Sequence, residues 1–220
     1  MTFSILARDE VSGAIGGAAA TGSLCVGGWV LRGDVRAGMS ASQGKSPSTL
    51  WGEDVLALMR NGATASEAAS DVTARDAGRA QRQLSVLGLQ GPGAVHSGGE
   101  NGPVVAENLF DGGVAAGNIL TGPEVIDALV SSYLGAEGTF AERLLQGLRA
   151  ADSKGGDARG LQSAALLILS PKAPPLSLRV DWSPDPLGDL AHLLERATSG
   201  YYAEWSTQVP VLDDPERTLT

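Results

Sequence analysis

The chain has 220 residues, a formal net charge of −9 and only 5% aromatic residues against 43% hydrophobic ones. Phosphate binding needs clustered Lys and Arg, so this excess of acid excludes nucleic acid and an anionic membrane surface as partners. With 30 glycines and few rings, the core must be built from Ala, Val, Leu and Ile, with sheets approaching closely over small side chains.

Thr2 to Arg8 alternates in character and predicts a strand. Asp9 to Gly13 is a turn, and Ala14 to Ala20 returns as a second strand whose Gly and Ala content implies close backbone approach. A third strand is expected within Trp29 to Ser42. The period then changes: Thr49 to Arg60 predicts a helix stopped by Asn61-Gly62, and Thr64 with Glu67 is a capping box opening another. Strands resume at Gln83 to Leu89 and Ala94 to Ser97, split by Gly91-Pro92-Gly93, and again at Val114 to Leu120.

A second helix pair follows, with Thr121/Glu124 and Thr139/Glu142 as predicted capping boxes and Pro123 tolerated in the first turn. The apolar run in Gln162 to Ser170 predicts a central strand buried on both faces, with Leu176 to Trp182 as its hairpin partner. Asp185-Pro186 starts a last predicted helix through Ala197. Residues 198–220 read as an irregular C-terminal arm containing Tyr201, Tyr202 and Trp205. Runs of strands followed by runs of helices predict an α+β fold, a single domain over residues 1–197 plus the arm.

Cys25 is the single cysteine, so no intrachain disulfide forms, which fits a reducing compartment. The start Met1-Thr2-Phe3-Ser4 has no basic or apolar targeting pattern and no apolar run is long enough to span a bilayer. A cytoplasmic protein is therefore expected. Gly44-Lys45-Ser46 lacks the upstream glycine of a phosphate-binding loop, since Met39 holds that position. His96, His192 and Cys25 lack the spacing of a zinc site. No metal and no cofactor is expected. The partner expected is a small-molecule substrate or ligand.

Met1-Thr2-Phe3-Ser4-Ile5-Leu6-Ala7-Arg8-Asp9 resembles the start of the family known as domain of unknown function 1028. The similarity continues through Asp76-Ala77-Gly78-Arg79, Gly117 to Val125, Gly156 to Ala165, Leu178 to Asp181 and Pro184 to Pro186. Such proteins are grouped with the N-terminal-nucleophile (Ntn) hydrolases, so the resemblance implies a four-layer αββα sandwich. It also implies a hydrolase of small amide or peptide-like bonds. Thr2 would then be the nucleophile once Met1 is removed, its own α-amine serving as base. The alternative is a catalytically silent member that binds a small ligand or builds an oligomer.

Proteasome-like Ntn hydrolases carry a Lys on an early strand; Ala18 to Ser23 has none here, leaving Arg32, Arg36 or Lys45 as substitutes. Asn118 is the candidate oxyanion donor, with a turn or cap as its other role. Arg159 and Gln162 either orient a carboxylate substrate or tie the Gly155-Gly156 loop to the sheet. Asp181 is a binding candidate or a cap and turn residue. Ser23, Ser42 and Gln43 are candidates through nearness to the Thr2 strand. The aromatic arm predicts a homo-oligomer, most simply a dimer.

Overall fold

The computed structural model describes residues 2–157 and 159–219. Met1, Ala158 and Thr220 lie outside the described residues, so the expected removal of Met1 and the end of the arm find no description there.

The fold is mixed α+β, with two antiparallel sheets. The larger sheet contains β1 (Thr2–Asp9), β2 (Ala14–Thr21), β7 (Val105–Phe110), β8 (Gly113–Asn118), β9 (Ser163–Ser170) and β10 (Ala173–Val180), in the order β10-β9-β2-β1-β8-β7. The smaller contains β3 (Leu31–Asp34), β4 (Gly38–Gly44), β5 (Arg82–Gly88) and β6 (Ala94–Ser97), in that order. β1 therefore lies inside its sheet, between β2 and β8.

The period of two sorts the strand residues. Phe3, Ile5 and Ala7 face α4 (Glu124–Gly135), α5 (Phe140–Ser153) and α6 (Pro186–Ala197), where Leu129, Leu144 and Leu190 are buried with them. Leu84 and Val86 likewise pack under α2 (Thr49–Arg60) and α3 (Ala65–Ala74). The opposite faces meet each other: Leu6, Ala19 and Val114 from one sheet pack on Met39, Ala41 and Leu87 from the other. Each buried Val, Leu, Ile, Met or Phe side chain among these stabilises the fold by about 1.5–3 kcal/mol, and each alanine by less. The small residues of β2 are required here, because a Cβ on Gly17 would lie 2.6 Å from Leu6 Cδ2.

Several sequence expectations need correction. The third strand is a hairpin, β3 with β4, preceded by the short helix α1 (Val26–Trp29). β7 was not expected. It is half-buried and pairs with β8 through Asp111-Gly112. No Thr121/Glu124 capping box forms: Pro123 is the N-cap, and the Thr121 hydroxyl turns to the Lys154 carbonyl at 3.4 Å. The boxes at Thr64/Glu67 and Thr139/Glu142 are present. β9 is second from the sheet edge rather than central, and its C-terminal half is only partly buried. The arm is not wholly irregular: α7 (Gly200–Ser206) follows α6, started by Gly200 at φ 60°.

Candidate functional site

The apolar filling between the sheets stops at one end and polar side chains replace it. Strand register puts Thr2 opposite Thr21 on β2 and opposite Asn118 on β8, while Thr21 is opposite Ser163 on β9. Four neighbouring strands thus end in a row Ser163–Thr21–Thr2–Asn118, all buried and all on the face toward the smaller sheet. From that sheet, Gln43 and Gln83 are paired in register, as are Gln83 and Ser97.

These rows are joined by hydrogen bonds. Thr2 Oγ1 donates to Thr21 Oγ1 at 3.1 Å. Ser4 Oγ donates to Gln43 Oε1 at 2.8 Å. Gln43 Nε2 faces Gln83 Oε1 at 2.7 Å, the Ala116 carbonyl at 3.1 Å and the Thr2 carbonyl at 3.3 Å. Gln83 Nε2 continues to Ser97 Oγ at 2.9 Å, and Ser97 donates to Glu107. A fully buried carboxamide engaged on both ends fixes the register of the two sheets, because an unmade bond there costs about 1–3 kcal/mol.

A cleft of about 490 Å³ opens beside this network. Thr2, Thr21, Ser23 and Gln43 line it, with Lys45 and Arg159 at its rim and Leu24, Trp29, Pro47 and Ile119 as apolar wall. Its size suits a small molecule. Cys25 (φ 59°) and Ile119 (φ 55°) are the non-glycine residues with left-handed backbone among those described. Ile119 lines the cleft and Cys25 lies between its lining residues Leu24 and Val26. A β-branched residue held there costs about 1–3 kcal/mol, and such strain gathers at functional sites.

The loop before β9 closes one side. Asp157 is buried, takes the Gly22 amide on Oδ2, and is gripped by Arg159. Burial pushes its carboxyl up, but the hydrogen bonds from Arg159 and the Gly22 amide outweigh this and hold it below the ordinary value. Gly22 has no room for a side chain, since a Cβ would lie 2.5 Å from Asp157 Oδ2 and 2.6 Å from the Gly160 carbonyl.

Of the residues expected at a site, Thr2, Ser23, Gln43 and Arg159 come together at the cleft. Asn118 is beside Thr2 but its Nδ2 turns to Asn101, at 3.4 Å from Oδ1, while its own Oδ1 and Asn101 Nδ2 are buried without partners. Gln162 does not line the cleft; it ties the loop to β2, its Nε2 donating to the Gly22 carbonyl at 2.8 Å. Asp181 is also outside, paired with Arg179 at 2.9 Å, and its carbonyl accepts from Cys25 N. Ser42 points to the helix side and donates to the Ser48 carbonyl.

Among the candidate substitute cations, Arg32 is spent on the Leu31 and Gly28 carbonyls and on Glu53. Lys45 is the one of the three that lines the cleft. Sequence reading did not single out Asn101 or Asp157. Asn101 acts through loop geometry that no motif records; Asp157 lay within the matched 156–165 stretch. Among the described residues, no three His, Cys, Asp or Glu side chains gather as metal ligands would. No helix among them is long and apolar enough to cross a membrane.

The family profile described as "Family of unknown function (DUF1028)" matches residues 2–190. The fold is similar to a crystal structure of a protein from Silicibacter pomeroyi that carries the same family designation, with a TM-score of 0.96 and 51% identity. That likeness covers 100% of this chain and 99% of the other. No curated protein matches the chain.

Proposed function

The chain belongs to the DUF1028 family, whose function is unknown, and we propose that it is an Ntn-type hydrolase of a small amide or peptide-like bond with Thr2 as nucleophile. The observation that carries this reading is the placement of Thr2. It heads an interior strand at the polar end of the inter-sheet space and its side chain borders the cleft. Two sheets packed face to face with helices outside each also fit the four-layer αββα sandwich of that superfamily.

In this reading Met1 is removed, because a small second residue permits it. The freed α-amine, titrating near about 7.7–8.0 in ordinary peptides, accepts the Thr2 hydroxyl proton as Oγ1 attacks the amide carbon. Asn118, the register partner of Thr2, is the candidate donor to the resulting oxyanion, its Nδ2 turning from Asn101 to do so. Collapse breaks the C–N bond, and the departing amine takes the proton from the α-amine. Water then attacks the Thr2 ester, releasing the carboxylic acid and restoring the hydroxyl. Gln43 positions the nucleophile by holding the Thr2 carbonyl.

The test is covalent. Untagged protein is treated with a β-lactone, which acylates a nucleophilic threonine, and the N-terminal peptide is mass-analysed. An adduct on a peptide beginning at Thr2 is expected; a peptide that keeps Met1 and carries no adduct overturns the reading. A silent, ligand-binding member of the fold is the second reading. It is favoured by the absence of Lys and Arg from β2, the strand that pairs Thr21 with Thr2.

A further inference from the structure

Among the described residues, the charged ones lining the cleft are Lys45 and Arg159, and no acid joins them. That is notable in a chain with 25 acidic and 16 basic residues. The two cations are not equivalent. Arg159 is committed to Asp157 through paired bonds of 3.1 and 3.0 Å. Lys45 is exposed and has no ion-pair partner among the described residues.

Lys45 is also bolted to the same frame as Thr2. Its backbone N donates to Asn101 Oδ1 at 2.8 Å, and that oxygen also receives Asn118 Nδ2, whose residue is the register partner of Thr2. Two residues earlier, Gln43 holds the Thr2 carbonyl. Between them Gly44 sits at φ 142°, and a Cβ there would lie 2.7 Å from the Gln81 carbonyl and 3.0 Å from Asn101 Oδ1. Only glycine passes this point, so the turn that presents Lys45 to the cleft is fixed. In the same cleft, Leu24 and Trp29 are half exposed and supply apolar lining.

We infer that Lys45 is a specificity residue that selects amides bearing a carboxylate on one side and an apolar group on the other, an N-acyl amino acid being the simplest such molecule. This rests on the hydrolase reading for turnover, but its binding half does not. An exposed lysine meeting a carboxylate discriminates the acid from its neutral carboxamide by about two- to fivefold.

The experiment uses matched pairs: N-benzoylglycine with N-benzoylglycinamide, and N-acetyl-leucine with its carboxamide. Kd is measured by calorimetry on wild type, Lys45→Glu and Lys45→Arg, and kcat and KM are measured where turnover occurs. The acid is expected to bind wild type about two- to fivefold more tightly than the amide. The ratio should invert or fall to one in Lys45→Glu and return in Lys45→Arg, with the effect in KM rather than kcat. If nothing is turned over, the hydrolase reading fails while the binding ratio still decides the anion preference. Equal affinity for acid and amide in wild type, no binding of either, or a preference that survives Lys45→Glu overturns the inference.

Discussion

Arg159 reaches back two residues to grip both carboxylate oxygens of Asp157, Nε at 3.1 Å from Oδ1 and Nη2 at 3.0 Å from Oδ2. The same carboxylate accepts the amide of Gly22, which follows Thr21 at the end of β2. One buried acid thus fastens the loop before β9 to the strand beside Thr2.

That linkage sets a pH dependence. The folded Asp157 is held below its ordinary value of 3.8. A depressed folded pKa contributes stability that is present above the unfolded value and lost as pH falls through the folded one. Asp157→Asn is expected to lower stability by about 1–3 kcal/mol at neutral pH, by weakening buried hydrogen bonds. The gap from wild type should stay constant above about pH 5 and close below 3.8. Urea denaturation across that range checks it; a gap that widens on acidification contradicts the assignment.

The Gln43 carboxamide ties the two sheets at their polar end, bonding Ser4 and the Thr2 and Ala116 carbonyls across the space between them. Gln43→Leu roughly keeps the volume but removes the acceptor of Ser4 Oγ and the donor to the Ala116 and Thr2 carbonyls, leaving those buried groups unpaired. A loss of about 1–3 kcal/mol is expected from the denaturant midpoint at unchanged slope. A loss under about 0.5 kcal/mol, the range of ordinary surface substitutions, would show that the network is slack.

The arm supports a proposal of self-association. Tyr201 is 82% and Tyr202 55% exposed on α7, and the Tyr202 ring lies tilted against Trp205 with centroids 5.5 Å apart. Rings of this kind bury large area at little entropic cost, and two-fold contacts are the commonest. Light scattering at micromolar concentration is expected to give a dimer for the full chain and a monomer for a chain ending at Thr198. A full-length monomer contradicts this, and a truncated dimer removes the arm from the contact.

Much of the fold was legible in the sequence because its signals are local. Thr49–Arg60 and Thr64/Glu67 were readable from caps and period alone. The misses have physical causes. Thr121 and Glu124 have the right spacing for a capping box, but Pro123 takes the N-cap position itself. β7 alternates only weakly and one face is exposed, so it carries little hydrophobic signal. α1 has four residues, two of them Gly, and starts from a left-handed Cys25 that no propensity favours. For the site, Thr2, Ser23, Gln43 and Arg159 were nameable. Gln162 and Asp181 look alike in sequence whether they face a cleft or a loop. The partnership of Gln43 with Gln83, and of Asn101 with Lys45, joins distant strands and loops that only the fold brings together.

The central claim is that Thr2 becomes the first residue and acts as the nucleophile. The direct measurement is hydrolysis of an N-acyl amino acid panel by untagged wild type, Thr2→Ser and Thr2→Ala, with intact mass recorded for each. The account predicts wild-type protein lacking Met1, turnover kept in Thr2→Ser, and a fall of at least about a thousandfold in Thr2→Ala. Turnover by protein that retains Met1, or by Thr2→Ala at the wild-type rate, would contradict it.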